Sequence, residues 1–407
     1  MKYVNSQKYM NSFPSAASLS EISQKRIREL CLSLGRINIG TAGIFLPSGA
    51  AGHASASMLE SVIKSAGYRV GRITGVGGYD SRAVVYIDGA IPEIEDYNRA
   101  VAELKAVAVN NPDEGYLKEE MSFVLGLLLC KMRGCEYLIF EGTSGADHSF
   151  DSVCSPYDLV VIPSVLDGDG HTTAVCCDAI RRGTREVISG NQKKDVYDLV
   201  SSACVSSGVR LNFTSKLGFE VESVSARSLG FSYGGRGGYT IKSPSLLLRD
   251  CAMLVIESAL AIRRDGIKLP WASIASGLAS ATGCGCFDMI SVSPLVIVDS
   301  AENASELELL IMTLEEVFGS DVSDGMTVCI PADSLALAQD SAFASCPIIA
   351  VGGCEVVQGD GISVKKNASA AACEIVSLMK KGMNVICFGD IFFAHSIKSE
   401  IVKAMGL

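Results

Sequence analysis

The chain has 407 residues, 48% of them apolar, and a mean hydropathy of +0.31, enough for two or three packed cores and far from a disordered composition. Lys and Arg number 35 against 45 Asp and Glu, a formal charge of −10 with no basic stripe, which excludes nucleic acid as a general partner. The longest apolar run, Phe123 to Cys130, stops at Lys131, short of the roughly 18 residues that cross a bilayer.

The opening stretch MKYVNSQKYMNSFPSAASLS lacks the apolar centre of a signal peptide, so cytoplasmic residence is expected, with no membrane partner. The 15 cysteines are odd in number and scattered, and Cys130, Cys251, Cys329 and Cys387 lie inside apolar runs. That placement predicts reduced, buried thiols acting as small hydrophobes. Neither Cys176–Cys177 nor Cys284–Gly285–Cys286 has the two-residue gap common in zinc and redox pairs.

Strands and helices alternate along the chain, the pattern of a parallel sheet covered by helices. A helix over 22–34 precedes a strand at 44–46. A helix over 58–66, with Leu59, Val62, Ile63 and Ala66 on its apolar face, leads to a strand at 69–74 and the turn GVGGYD. Further strands are predicted at 83–88, 137–140, 159–165 and 186–189. The helices between and after them lie within 91–108 and at 119–133, 173–182 and 196–207. FSYGGRGGYTIK, 231–242, reads as a β-hairpin with a glycine-rich tip. Long helices at 247–263 and 271–280 follow. From Ser291 the pattern restarts: a strand in PLVIVDS, a helix over 305–318, strands at 326–330, 347–351 and 384–388, and a helix at 396–405. The expected fold class is therefore α/β, with a domain boundary within GCGCFDMISVS, 283–293.

Residues 44–61, IFLPSGAAGHASASMLES, carry a strand into a small-residue loop and then a helix. A helix N-terminus offers unpaired N–H groups and positive dipole potential, so this layout suits a phosphate. Yet there is no lysine in the loop and no Gly–Lys pair anywhere in the chain. Three readings are open for the stretch, a phosphate site, a remnant of one, or an ordinary strand-to-helix turn, and the missing lysine favours the remnant.

Several strings, in order, resemble the folylpolyglutamate synthase branch of the Mur ligase superfamily: MLESVIKSAGYRVGRIT, AVVYIDGAIPEIEDYNRAVAEL, CEYLIFEG, SPYDLVVIPSV, PLVIVDSAEN and NVICFGDIFF. The resemblance covers nearly the whole chain. It implies a central P-loop-type parallel-sheet domain, residues 1–290, and a smaller C-terminal α/β domain, residues 291–407, with ATP and substrate in the cleft between them. Family members phosphorylate a carboxylate with Mg-ATP and let an amine attack the acyl phosphate. In the folate branch the amine belongs to glutamate and the acceptor is a folate γ-carboxylate.

The chemistry implied by the resemblance fits the residues poorly. The family loop reads G-T-N-G-K-G-S. Counting back from Gly71 without gaps places its lysine at Gly52 and its serine at Ala54; a one-residue deletion moves them to His53 and Ser55. His53 supplies a cation only when protonated, and its other reading is a solvent-exposed loop histidine. The family's Ser–Pro–His-like substrate loop becomes Gly75, Val76 and Gly77. Glu141 stands at the magnesium-binding glutamate, and His171 at a second metal ligand if the local length changes. Asp147, His148, Asp151, Asp167 and Asp169 either join them in a remodelled divalent site or belong to polar loops at strand ends.

The bridging lysine falls on Cys177, read as a core thiol. The family's Pro–Gly–Arg–Phe–Glu becomes residues 284–288, without the arginine. Asp299 and Asn303 persist from Asp–Gly–Ala–His–Asn–Pro, while Glu302 replaces its histidine.

The expectation is thus a ligase-shaped protein, catalytically impaired, that binds a small molecule or a protein partner, a catalytic relative included. Its ligand cleft would be lined by Ser48, Gly49, Gly52, His53, Ser55, Asp299 and Asn303, with Glu141 and His171 as candidate metal ligands. No cofactor is expected. ATP and magnesium enter only in the alternative, an active ligase adding glutamate to a folate-like carboxylate.

Overall fold

In the computed structural model, the described residues are 2–16, 23–74, 81–110, 115–142, 151–164, 170–283, 285–320, 322, 325–353 and 361–406. They gather into two compact units: Met1–Ser48 with Ser55–Ser215 and Leu254–Leu278, and Gly49–Ala54 with Lys216–Met253 and Ala279–Leu407.

The chain opens with α1 (Lys2–Met10) and α2 (Gln24–Ser33), then β1 (Ala42–Leu46), α3 (Ala50–Ser65), β2 (Val70–Ile73), β3 (Val85–Ile87), α4 (Ile94–Ala108), α5 (Lys118–Met132) and β4 (Tyr137–Glu141). It continues through β5 (Leu159–Ile162), α6 (Gly170–Ala179), β6 (Glu186–Ser189), α7 (Lys194–Ser207) and β7 (Arg210–Phe213). These seven strands form one sheet in the order β3-β2-β4-β1-β5-β6-β7, parallel except for the edge strand β3. Its inner strands carry almost unbroken apolar sequence because helices cover both faces.

Helix α5 shows how completely this unit is packed. Every residue from Glu120 to Cys130 is buried, so its sequence has no polar face to display. The one carboxylate in that stretch, Glu120, is gripped by Arg26 of α2, whose Nε and Nη2 donate to it at 2.9 and 2.6 Å. The Ser23 N–H, at 2.7 Å, also donates to Glu120. The buried charge is therefore both paired and hydrogen-bonded, as burial demands.

Three antiparallel strands follow, β8 (Phe219–Ser225), β9 (Ser228–Tyr233) and β10 (Arg236–Ile241), in the order β10-β9-β8. The expected hairpin is β9–β10, turning through Gly234 and Gly235 at φ 58° and 75°. The third strand was hidden from a reading by hydropathy, because six of the seven β8 residues face solvent.

Next come α8 (Leu246–Arg264), α9 (Trp271–Ser280), β11 (Asp288–Val292), β12 (Leu295–Asp299), α10 (Ala304–Phe318), β13 (Thr327–Pro331), α11 (Leu335–Gln339), β14 (Ile348–Val351), β15 (Ile362–Lys365), α12 (Ala368–Lys380), β16 (Val385–Phe388) and α13 (Ile391–Met405). The second large sheet runs β11-β12-β16-β13-β14-β15, with β11 alone antiparallel. One apolar cluster lies on each face of it, around Ile297, Ile330 and Phe388 and around Val298, Cys329 and Ile397. Cys329 and Cys387 stand opposite each other in register, both buried and reduced. Cys130 and Cys251 are likewise buried free thiols, as expected from their apolar surroundings.

Helices α3 and α9 meet so closely that a Cβ on Gly277 would lie 2.4 Å from the Val62 Cα, and the Ser61 hydroxyl donates to the Gly277 carbonyl at 2.8 Å. Backbone cannot rotate aside as a side chain can, so the helices must separate to admit a methyl group. Gly277→Ala is expected to cost about 1–3 kcal/mol, and Ser61→Ala about 1 kcal/mol, in urea unfolding.

Candidate functional site

Strand β1 ends at Leu46, in register with Glu141 at the end of β4. The order β4-β1-β5 makes this the point where successive connections run in opposite directions, and in open α/β sheets ligands bind at the carboxyl ends of strands there. Pro47, Ser48 and Gly49 make the turn into α3. Gly49 sits at φ +101°, a conformation that side chains disfavour, with open space where a Cβ would be. The His53 N–H then closes the first helical turn on the Gly49 carbonyl at 2.9 Å.

The helix thus begins at Ala50, not at 58, and the expected small-residue loop is mostly helix. Ala is the best helix former, and small side chains let α3 lie close to its neighbours; neither property produces an apolar stripe in the sequence. Gly52 and Ser55 are buried. The Ser55 and Ser57 hydroxyls are enclosed without a hydrogen-bond partner among the described residues.

The expectation that His53 is a solvent-exposed loop residue is corrected. It is helical and only 8% exposed, with its Nε2 3.0 Å from the Gly283 carbonyl and its ring edge-on to His395 at 5.7 Å. A carbonyl only accepts, so Nε2 carries a proton and donates it to Gly283.

Glu141 has a partner that the sequence reading missed. Arg72, in the middle of β2, places its Nη1 on the Glu141 carboxylate and its Nε 2.8 Å from Glu60 of α3. The guanidinium also stacks over Tyr86, 4.5 Å from the ring centroid. Register explains the convergence. Arg72 is opposite Tyr86 on β3 and beside Ile139 on β4, and Glu141 lies two residues beyond Ile139 on the same face. Side-chain exposures of 6% for Arg72, 3% for Glu60 and 9% for Glu141 put the ion pairs out of water. Burial favours a neutral guanidine, but the charges of Glu141 and Glu60 and their hydrogen bonds override it and hold Arg72 above its usual pKa. Glu60 also accepts the Gly89 N–H at 2.6 Å. The signal for this cluster was available: an arginine inside the buried run RVGRIT and a glutamate on the apolar face of MLESVI.

Asp299 ends β12 and is buried. Its carboxylate accepts the Phe287 N–H at 2.6 Å and the Ala301 N–H at 2.8 Å. Burial pushes its pKa up to about 7 against the downward pull of these N–H groups. Asn303 caps α10, its Oδ1 accepting from the Glu306 N–H at 3.0 Å. The Glu302 N–H donates to the Glu306 carboxylate at 3.1 Å. Of the expected cleft residues, Ser48 and Ser55 belong to the first unit and Gly49, Gly52, His53, Asp299 and Asn303 to the second.

His171 is the second residue of α6, but its side chain lies outside the described residues, as does that of Asp151. Asp147, His148, Asp167, Asp169, Cys284 and the stretch 75–80 also lie outside them. Cys177 is half-buried against the first unit's core, and burial raises its thiol pKa.

The magnesium ion implied by the fold family has a specific test at Glu141. The carboxylate that would bind it is paired with a buried guanidinium, and among the described residues no group of three His, Cys, Asp or Glu side chains is gathered to hold a metal. The described residues do not fit a divalent ion.

The raised pKa of Asp299 has a definite sign. An acid whose folded pKa exceeds its unfolded value stabilises fully below the unfolded value, near 3.8, and the contribution fades as pH rises through about 7. Asp299→Asn is therefore expected to lose more stability at pH 5 than at pH 7.5, measured as the shift in urea midpoint against wild type at each pH.

No protein-family model matches the chain. A folylpolyglutamate synthase from Lacticaseibacillus casei is 22% identical over 373 residues, which cover 87% of this chain and 86% of that protein. Among solved structures, the apo form of the L. casei enzyme superimposes with a TM-score of 0.82 at 20% identity, covering 99% of this chain and all of that one. Mycobacterium tuberculosis folylpolyglutamate synthase complexed with ADP gives 0.81 at 15% identity over 98% of each chain. A folylpolyglutamate synthase complex with AMPPCP and folate gives 0.80 at 19% identity over all of both chains. The resemblance drawn from the six ordered strings stands, and the chain has the two-domain, Mur-ligase-like α/β fold of folylpolyglutamate synthases.

Proposed function

We propose that this protein is a folylpolyglutamate synthase-like, Mur-ligase-like chain that no longer drives ligation with ATP and acts as a binding subunit for a small ligand or a protein partner, a catalytic relative included. The observation that carries this reading is the state of Glu141: its carboxylate is neutralised by Arg72, while residues 48–55 supply no fixed positive charge for a triphosphate. Phosphoryl transfer depends on cations placed against the β- and γ-phosphates. Losing one transition-state contact of that kind commonly costs about 10²–10³-fold in rate. The candidate ligand contacts are Ser48, Gly49, Gly52, His53, Ser55, Asp299 and Asn303.

A second reading, an active ligase adding glutamate to a folate-like carboxylate, has one specific support: similarity to folylpolyglutamate synthases, including ADP- and AMPPCP-bound ones, along nearly the whole chain.

Two measurements separate the readings. With ATP, Mg²⁺, glutamate and a reduced folate, the chain is expected to release no ADP above a boiled control; turnover would establish the ligase. In calorimetric titration with Mg-ATP, affinity is expected to be weaker than low micromolar and insensitive to His53→Ala. Tight binding abolished by that substitution would reverse the conclusion.

A further inference from the structure

We propose that Arg72 is the resident cation of the Glu60–Glu141 carboxylate pair, so that Glu141 holds no divalent metal and ligand binding by this chain needs none at that position. The inference goes beyond the proposed function, because it assigns a role to three side chains of the first unit whether or not the chain turns over ATP.

The geometry is specific. Two nitrogens of the guanidinium serve two different carboxylates, and its face is covered by Tyr86. Glu60 is committed through both oxygens, Oε2 to Arg72 and Oε1 to the Gly89 N–H. A dication at Glu141 would have to lie beside the guanidinium or displace it. Beside it, two positive centres would repel where little water screens them. Displacing it would strand the charge of a side chain anchored in the middle of a buried strand, the costly outcome when a buried pair is broken. Arg72 cannot leave readily, because strand register, not a flexible loop, brings it to Glu141.

The test uses Mn²⁺ alone as the probe, on the full chain without nucleotide. Wild type and Glu141→Gln are expected to take up the same amount of Mn²⁺ by electron paramagnetic resonance. The wild-type melting midpoint should change by less than about 1 °C between EDTA and millimolar Mn²⁺. Arg72→Met is expected to lower that midpoint by roughly 5–10 °C, with Arg72→Lys falling between it and wild type. Uptake of Mn²⁺ by wild type that disappears in Glu141→Gln would overturn the proposal, as would an Arg72→Met protein melting with wild type. The comparison of wild type with Glu141→Gln decides the matter even if Arg72→Met does not fold. ATP turnover in the ligase assay would sink the non-catalytic reading while leaving this one intact.

Discussion

A charge enclosed by a sheet has to be answered on the spot. Arg72 occupies the second-last position of a four-residue strand whose residues are all buried, and the two carboxylates that answer it come from different elements, α3 and β4. Replacing such a cluster with apolar residues of the same shape need not cost stability, but removing one member leaves an uncompensated charge and costs about 3–5 kcal/mol. The cluster therefore acts as a register lock. It is satisfied only when β2 lies beside β4 with Arg72 opposite Ile139, β3 brings Tyr86 alongside, and α3 presents Glu60 to the sheet. The same placement sets the electrostatics at the end of β4, where Glu141 lies in register with Leu46, the last residue of β1.

Legibility of the sequence divides along physical lines. Inner strands such as LVVI and VICF were recovered because continuous apolar runs bounded by turns have few other uses, and α5 because its length exceeds that of a buried strand. The start of α3 was not recovered. Its first two turns are Ala, Gly, Ser and His, of which only Ala favours a helix strongly, and their hydropathy carries no period of 3.6. Strand β8 was missed for the opposite reason: six of its seven residues are exposed, and it is held by pairing to β9, with Phe219 stacked on Phe231 and under the Arg249 guanidinium.

The site was legible by position and illegible by partner. Glu141 could be placed at a strand end by its neighbours in the chain, but the identity of its counterion depends on which strand lies next to β4. That strand is β2, whose Val70 pairs with Tyr137 across two intervening helices and a strand of sequence. Single-sequence reading sees Arg72 as an anomaly in an apolar run, and only register turns the anomaly into a contact. The histidine at position 53 shows the same limit, since its partners Gly283 and His395 are remote in the chain.

The retention of Asp299 and Asn303 need not signal retained chemistry, because the backbone itself requires both. Asp299 holds the backbone of Phe287, a residue at φ 52°, against the end of β12, and also takes the Ala301 N–H that follows the strand. Asn303 accepts one of the N–H groups orphaned at the start of α10, a role in which replacement by alanine typically costs about 1 kcal/mol. The positions at which the resemblance places lysines hold Gly52 or His53 and Cys177, and of these His53 has a structural duty of its own, its Nε2 lying 3.0 Å from the Gly283 carbonyl. Gly52 and His53 lie within a helix built from small residues, and Cys177 is packed against a core. On the reading proposed above, the chain would keep the polar groups its backbone needs and lose those that only a triphosphate required.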